Sequence, residues 1–265
     1  MNQRQERLKI ILIGDSCKDI THYGHVNRLS PEGPIPILDY HSTTEAGGMI
    51  KNVYNNFTNL GVKNITLYAK LCEEKIRYID EISKRQLLRM DNKIPEDKNA
   101  VDLEGLLMAD LSGFDAIVIS DYDKGYVTYD FVKSLRQRFE GPIFIDTKKP
   151  DLAKFKGCII KINRSEWNNK ISDGLDACII TGGGGEITYK HEMSFQEEYF
   201  APPNVDAHDP CGCGDTFLAS LVYDYLHTQN MPSAINFAMK AAAITVKKIG
   251  VYAPTYDEIV ENENS

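Results

Sequence analysis

Four short, β-branched runs constrain this chain most: AIVIS (116–120), IFID (143–146), CIIKI (158–162) and ACIIT (177–181). Each is too short for a helix and too apolar for a surface loop, so each reads as a buried strand. Helical patterns over 103–111 and 128–139 precede the first two. Strands alternating with helices predict βαβ units and a parallel sheet. Every run ends in a polar or glycine-containing loop: Ser120-Asp121, Asp146-Thr147-Lys148, Asn163-Arg164-Ser165-Glu166 and Thr181 followed by Gly182–Gly185. Ligands of open parallel sheets bind beyond the carboxyl ends of the strands, so these loops are expected to form one site.

The first half is less regular. KIILI (9–13) is a strand pattern closing in Gly14-Asp15. The following segment is rich in Pro, Gly and polar residues, and it reads as a loop feeding an edge strand that accommodates Pro34 and Pro36. Met49, Val53, Phe57 and Leu60 share one helical face, with Gly61 where a terminating glycine belongs. ITLYA is a strand pattern, and the charged stretch 70–91 fits either a hairpin or one helix. FLASLVYDYL and AINFAMKAAAITVKKIG are helical, the second closed by Gly250.

A length of 265 residues with 42% hydrophobic content supports one large core. No boundary stands out, so a single domain over 1–265 is expected. A net charge of −8 argues against nucleic acid as partner. No run approaches the roughly 20 apolar residues of a membrane span, and the charged start does not resemble a signal peptide. Six cysteines then read as reduced thiols of a cytoplasmic protein. Cys211 and Cys213 lack a second ligand pair at zinc spacing. The six histidines show no i, i+4 pairing and read as surface or core residues.

DPCGCGDTF (209–217) stands immediately before an apolar helical run. A helix N-terminus favours an anion, and Gly212 and Gly214 let a ligand approach the backbone. Asp215 would repel a phosphate unless it accepts a proton from a hydroxyl while amides hold the developing charge. The alternative is an ordinary helix entry with Asp215 in the first turn. Gly182–Gly185 fits a phosphate-wrapping loop or a hairpin turn. Asn163 and Glu166 fit a hydrated Mg²⁺ or a capping arrangement around Ser165. Asp15 and Asp19 fit sugar hydroxyls or turn-forming acids, and Gly47-Gly48 fits a substrate contact or a plain turn. Arg28, Lys124 and Lys148 are candidates for a substrate phosphate. Trp167 reads as core.

In this order the pieces resemble the ribokinase-type (phosphofructokinase-B) superfamily of small-molecule kinases. DPCGCGDTF is similar to its glycine–aspartate signature, with Pro210 and Cys213 as departures; GGMIKN, NRSE and ITGG are similar to its substrate, magnesium and nucleotide segments. ILIGDSCKDITHYGHVNRLSPEGPIPIL, SDYDKGYVT and IDTKKPD further resemble the bacterial heptose-7-phosphate kinases.

The resemblance implies an α/β, ribokinase-like three-layer fold: a mostly parallel sheet between helices, with a small β lid from roughly 20–42 and 64–100. It implies Asp215 as general base and Gly212, Cys213 and Gly214 as an anion hole. It implies Asp19, Arg28, Gly47, Gly48, Asn52 and Lys124 around a sugar or sugar phosphate. Lys148, Asn163, Thr181, Gly183 and Asp209 fall on the ATP side, with Asn163 and Glu166 organising Mg²⁺. A homodimer formed through the lid is expected.

Against the family pattern, two helices look missing, one before KIRYID and one between NRSEW and ACIIT; no nucleotidyltransferase segment follows, and Tyr54 and Lys240 replace expected residues. A heptose 7-phosphate 1-kinase is the first reading. A kinase for another sugar, or a degenerate protein that binds sugar phosphate or nucleotide without turnover, are the alternatives.

Overall fold

The computed structural model describes residues 7–95, 101–191, 197–248 and 250–261. The end of the expected lid segment (96–100) and Ile249 lie outside them. The chain divides into two compact units: unit 1 is 1–15, 49–69 and 101–265, and unit 2 is 16–48 and 70–100.

The strands are β1 (Lys9–Leu29), β2 (Pro36–Met49), β3 (Asn64–Asp80), β4 (Arg85–Lys93), β5 (Ala116–Asp121), β6 (Ile143–Thr147), β7 (Ile159–Asn163), β8 (Ala177–Gly182), β9 (Gly185–His191) and β10 (Glu198–Phe200). The helices are α1 (Ile50–Asn59), α2 (Leu103–Met108), α3 (Tyr129–Arg138), α4 (Arg164–Trp167), α5 (Cys213–Thr228), α6 (Met231–Thr245) and α7 (Tyr256–Glu261).

Unit 1 is a three-layer sandwich. Its strands run in the order β10-β9-β8-β7-β6-β5-β1-β3. The four β-branched runs and the start of β1 pair in parallel, whereas β9 and β10 add antiparallel edges. Successive side chains of a strand point to opposite faces, which explains why these strands carry apolar residues on both faces. Ile10, Leu12, Val118, Phe144 and Ile179 face one core with α1, α5 and α6. Ile11, Ile13, Ile117, Ile119 and Ile145 face a second core with α2 and α3. Trp167 packs at the edge of that second core, as expected.

Unit 2 contains the distal parts of β1 and β3 together with β2 and β4, and it holds no helix among the described residues. The expectation of a loop after Asp15 is corrected here: β1 continues to Leu29. The turn formers are concentrated further on, at 31–34, where the Ser30 amide donates to the Ile35 carbonyl at 2.8 Å. Pro36 is the first residue of β2, a place where its missing N–H costs no ladder bond. The open choice over 70–91 resolves as a hairpin, β3 against β4, with a bulge at Tyr78/Ile79. Both helices that looked missing are missing: β3 is continuous over 64–80, and 168–176 is irregular.

The last long helix ends at Thr245, five residues before the predicted Gly250. The Val246 carbonyl accepts from the His208 and Asp209 amides (2.8 and 3.0 Å), and Thr245 Oγ1 bonds back to Ala241 O at 3.2 Å. Chain-end carbonyls are thus spent on the 208–209 loop rather than on another helical turn.

Candidate active site

In unit 1 the DPCGCGDTF loop is fixed by its own first acid. Asp209 accepts from the Cys211 amide through Oδ1 and from the Gly250 amide through Oδ2, both at 2.9 Å. Asp209, expected on the nucleotide side, is thereby the loop's tether. Gly212 takes φ +79°, which opens the helix from the left-handed region, and a Cβ there would lie 3.1 Å from Val251. The Cys213 amide, one of the three expected in an anion hole, donates to the Pro210 carbonyl at 3.2 Å.

Asp215 stands in the first turn of α5 and is 7% exposed. Its Oδ2 accepts from Asn52 Nδ2 at 2.9 Å, a bond between α1 and α5. The Asn52 carbonyl in turn accepts from Asn56 Nδ2 at 2.8 Å. Asn52, expected at the sugar, therefore touches the carboxylate of the expected base.

A cation that sequence reasoning missed lies under the same helix end. Lys161 of β7 is buried and pairs with Asp146 at 2.6 Å. A Cβ built on Gly214 would lie 3.1 Å from its Nζ, so the ammonium sits directly below the glycine turn. Both the helix dipole and this charge favour an anion there. The only sequence signal was a lysine inside an otherwise apolar strand.

The neighbouring strand ends are laced together. Asp15, just beyond the part of β1 that pairs with β5, is fully buried; its Oδ2 accepts from the Tyr122 and Lys124 amides at 2.8 and 3.3 Å. It thereby shapes the loop that carries Lys124. Asp121 Oδ2 accepts from Thr147 Oγ1 at 2.7 Å, and buried Lys149 pairs with Asp121 at 3.6 Å and with Asp123. Burial pushes the carboxyls of Asp15 and Asp121 upward, against the amide and hydroxyl bonds that lower them.

Asn163 caps α4, its Oδ1 accepting from the Ser165 amide at 3.0 Å, which is the capping alternative. Glu166 Oε1 pairs with Lys148, while its Oε2 is buried with no hydrogen-bond partner. That orphaned oxygen, three residues along the chain from Asn163, suits a hydrated divalent cation, since Mg²⁺ takes one or two carboxylate oxygens and keeps its waters. Thr181 pairs with Asn163 across β7 and β8. Gly183 lies in the two-residue turn between β8 and β9, where Gly182 pairs with Gly185; the glycine quartet is a hairpin turn.

In unit 2, Asp19 accepts from Arg77 Nη1 at 2.7 Å. Gly48 passes so close that a Cβ would lie 2.5 Å from both Asp19 Oδ2 and Cys17 Sγ, so a side chain there would displace both. Lys75 pairs with Glu73 at 3.3 Å. Arg77 and Lys75 belong to the charged stretch whose secondary structure the sequence left open. Gly47 adjoins Gly48 near the end of β2, and Arg28 lies exposed near the end of β1.

A profile of pfkB family carbohydrate kinases matches residues 163–258, the span from Asn163 through the glycine turn. The bifunctional protein HldE of Nitratiruptor sp. is 26% identical over 97% of this chain, and that of Caulobacter vibrioides is 27% identical over 94%. The chain spans 65% and 62% of the lengths of these two relatives. Among solved structures, phosphofructokinase-2 from Escherichia coli superposes with a TM-score of 0.74, 13% identity and coverage of 97% of this chain and 98% of that one. Ribokinase from Thermotoga maritima gives 0.63 and 15%, covering 97% and 100%. The fold is ribokinase-like, and the span 163–258, glycine turn included, is similar to the pfkB family of carbohydrate kinases.

Proposed function

We propose that this protein transfers the γ-phosphoryl group of ATP to a hydroxyl of a phosphosugar, with a heptose 7-phosphate phosphorylated at its 1-hydroxyl as the first substrate to test. The observation that carries the reading is the buried Asp215 carboxylate, held by Asn52 in the first turn of a helix that opens on glycines. In the reaction, Asp215 takes the proton of the sugar hydroxyl as its oxygen forms a bond to Pγ, and the bond from Pγ to the bridging oxygen of ADP breaks. The Gly212 and Gly214 amides and the Lys161 ammonium favour the charge carried by the phosphoryl group in transit.

Asn163 and Glu166 hold Mg²⁺ through water, and the ion neutralises phosphate charge when bound. Lys148 orients Glu166. Thr181 and Gly183 line the nucleotide side. Asp19, Gly47 and Gly48 bind the sugar, while Lys124 and Arg28 serve its phosphate. Support for the heptose comes from the similarity to HldE over nearly the whole chain. No described helix is long and apolar enough to cross a membrane; a cytoplasmic location, where ATP is available, belongs to this reading.

The test is ADP release with Mg²⁺ across a panel of phosphosugars, run beside Asp215→Asn. Turnover of one sugar that falls about 10²–10⁴-fold in the variant is the expected result. Turnover equal in both overturns Asp215 as base. The irregular 168–176 segment favours one second reading, a binding protein without turnover. That reading gains if ATP or a phosphosugar shifts the melting temperature while no ADP forms.

The expected homodimer through unit 2 is supported by its exposed apolar residues, Leu29, Ile35, Tyr40, Ile82 and Leu88 among them. Light scattering after gel filtration tests it: the native chain should run at twice the mass of the Ile82→Asp/Leu88→Asp variant.

A further inference from the structure

Two histidines far apart in sequence meet in unit 2. His25 lies on β1, His41 on β2, and Glu81 directly follows β3. One ligand atom from each lies within 4.8 Å of the other two. The backbone fixes this meeting: the Glu81 amide donates to the Gly24 carbonyl at 2.9 Å, which places Glu81 beside His25. On the other side of β1, β2 runs so close that a Cβ on Gly24 would lie 2.3 Å from the Asp39 carbonyl oxygen.

His41 Nδ1 already contacts Glu81 Oε2 at 2.8 Å, whereas His25 Nδ1 is buried with no hydrogen-bond partner. A buried ring nitrogen left unpaired is costly unless something else takes its lone pair. Two imidazoles and one carboxylate are the donor set of a borderline divalent transition ion, and three protein ligands leave a fourth position for water.

We propose that His25, His41 and Glu81 form a Zn²⁺ site that pins β1, β2 and the end of β3 together. The carboxylate would turn from its hydrogen bond with His41 onto the ion, and His25 Nδ1 would gain the partner it lacks. Such a staple suits a sheet without helices, whose buried apolar side chains are few. The site needs neither nucleotide nor sugar.

The test uses the full chain stripped by a chelator and titrated with Zn²⁺ alone against a chromophoric competitor. One equivalent should bind and raise the melting temperature. His25→Ala and His41→Ala should each weaken binding by about 10–100-fold or more, while Cys211→Ser, which removes the exposed thiol, should leave it unchanged. Co²⁺ in place of Zn²⁺ should give visible d–d bands without a thiolate charge-transfer band. If His25→Ala fails to fold, the exposed His41 provides the same reading. Full-strength binding in either histidine variant, a thiolate band, or no uptake of Zn²⁺ overturns the site.

Discussion

The two units bury different things. Unit 1 fills both faces of its sheet with Ile, Val, Leu and Phe, so its central strands are mostly apolar, with Lys161 of β7 a buried exception. Unit 2 buries few large apolar side chains and relies on polar pairs: Arg77 on Asp19, Lys75 on Glu73, and Asp80 on the turn at 82–83. Its hairpin strand β4 is exposed along its whole length. A sandwich is stabilised by area removed from water, whereas a one-layer sheet depends on hydrogen bonds and on whatever covers it. The first arrangement suits a scaffold that holds Asp215 still. The second allows close, specific polar contacts around Asp19, at a lower intrinsic stability.

The largest expected effect tests that contrast directly. Phe144→Ala, at a fully buried position of unit 1, should cost about 3–5 kcal/mol in urea unfolding, whereas Leu88→Ala on β4 should stay within about 0.5 kcal/mol in a monomeric background. Equal costs would erase the distinction. Next in size is Lys161→Met. It strips the partner from Asp146 and should cost about 1–3 kcal/mol, because a half-buried carboxylate is left unpaired. If the ammonium also favours the phosphoryl group, kcat should drop more in this variant than in Lys161→Arg, with both measured where the protein is fully folded.

The contrast also explains what was legible in the sequence. Period and composition report burial, so the runs at 116–120, 143–146, 158–162 and 177–181 declared strands of a parallel sheet, whose order came from the structure. In unit 2 the same signals fade: Lys70–Asp91 alternates charge with apolar residues on a sheet exposed on one side, a pattern that helix and hairpin share. The segment after Asp15 looked like a loop because glycine and polar residues are scattered through it, although Pro31 and Pro34 fall in one tight turn and Pro36 opens β2. At the site, Asp215 and the glycines announced themselves by crowding. Lys161 and Arg77 did not, because a single charge within a strand acquires meaning only from its neighbour across the sheet. His25 and His41 were invisible for the same reason.

A smaller effect separates the units by pH. Asp80 in unit 2 accepts from the Ser83 hydroxyl and from the Ser83, Val26 and Ile82 amides, and these bonds pull its carboxyl down to about 2. A depressed folded pKa stabilises above the unfolded value near 3.8, and that contribution disappears as pH falls through about 2. Asp15 in unit 1 is shifted upward by burial, so its sign is opposite: its contribution is complete below the unfolded value and declines as pH rises. Urea midpoints between pH 2 and 6, roughly the span of these ionisations, should therefore rise less steeply with pH in Asp80→Asn and more steeply in Asp15→Asn than in the native chain. Parallel curves would show that neither carboxylate senses its unit as described.

The smallest effect is a matter of rates, and it asks whether the two units open separately. Cys211 is the one exposed thiol among six, and it should react with a disulfide reagent at mildly alkaline pH within the first phase. Its neighbour Cys213 is pushed up to about 11 by burial and by the Asp209 charge, and should lag. The remaining four are buried, Cys158 and Cys178 in unit 1, Cys17 and Cys72 in unit 2, with Cys72 donating to the Ser16 carbonyl at 3.1 Å. Burial pushes Cys17, Cys158 and Cys178 alike to about 12, so intrinsic reactivity does not separate these three and access does. A unit held by few apolar contacts opens at lower free energy than the sandwich, which predicts that Cys17 and Cys72 label before Cys158 and Cys178. Simultaneous labelling of all four would mean that the sheet of unit 2 and the sandwich of unit 1 unfold as one cooperative body. Zn²⁺ that slows only Cys17 and Cys72 would link the order of opening to the His25–His41–Glu81 cluster.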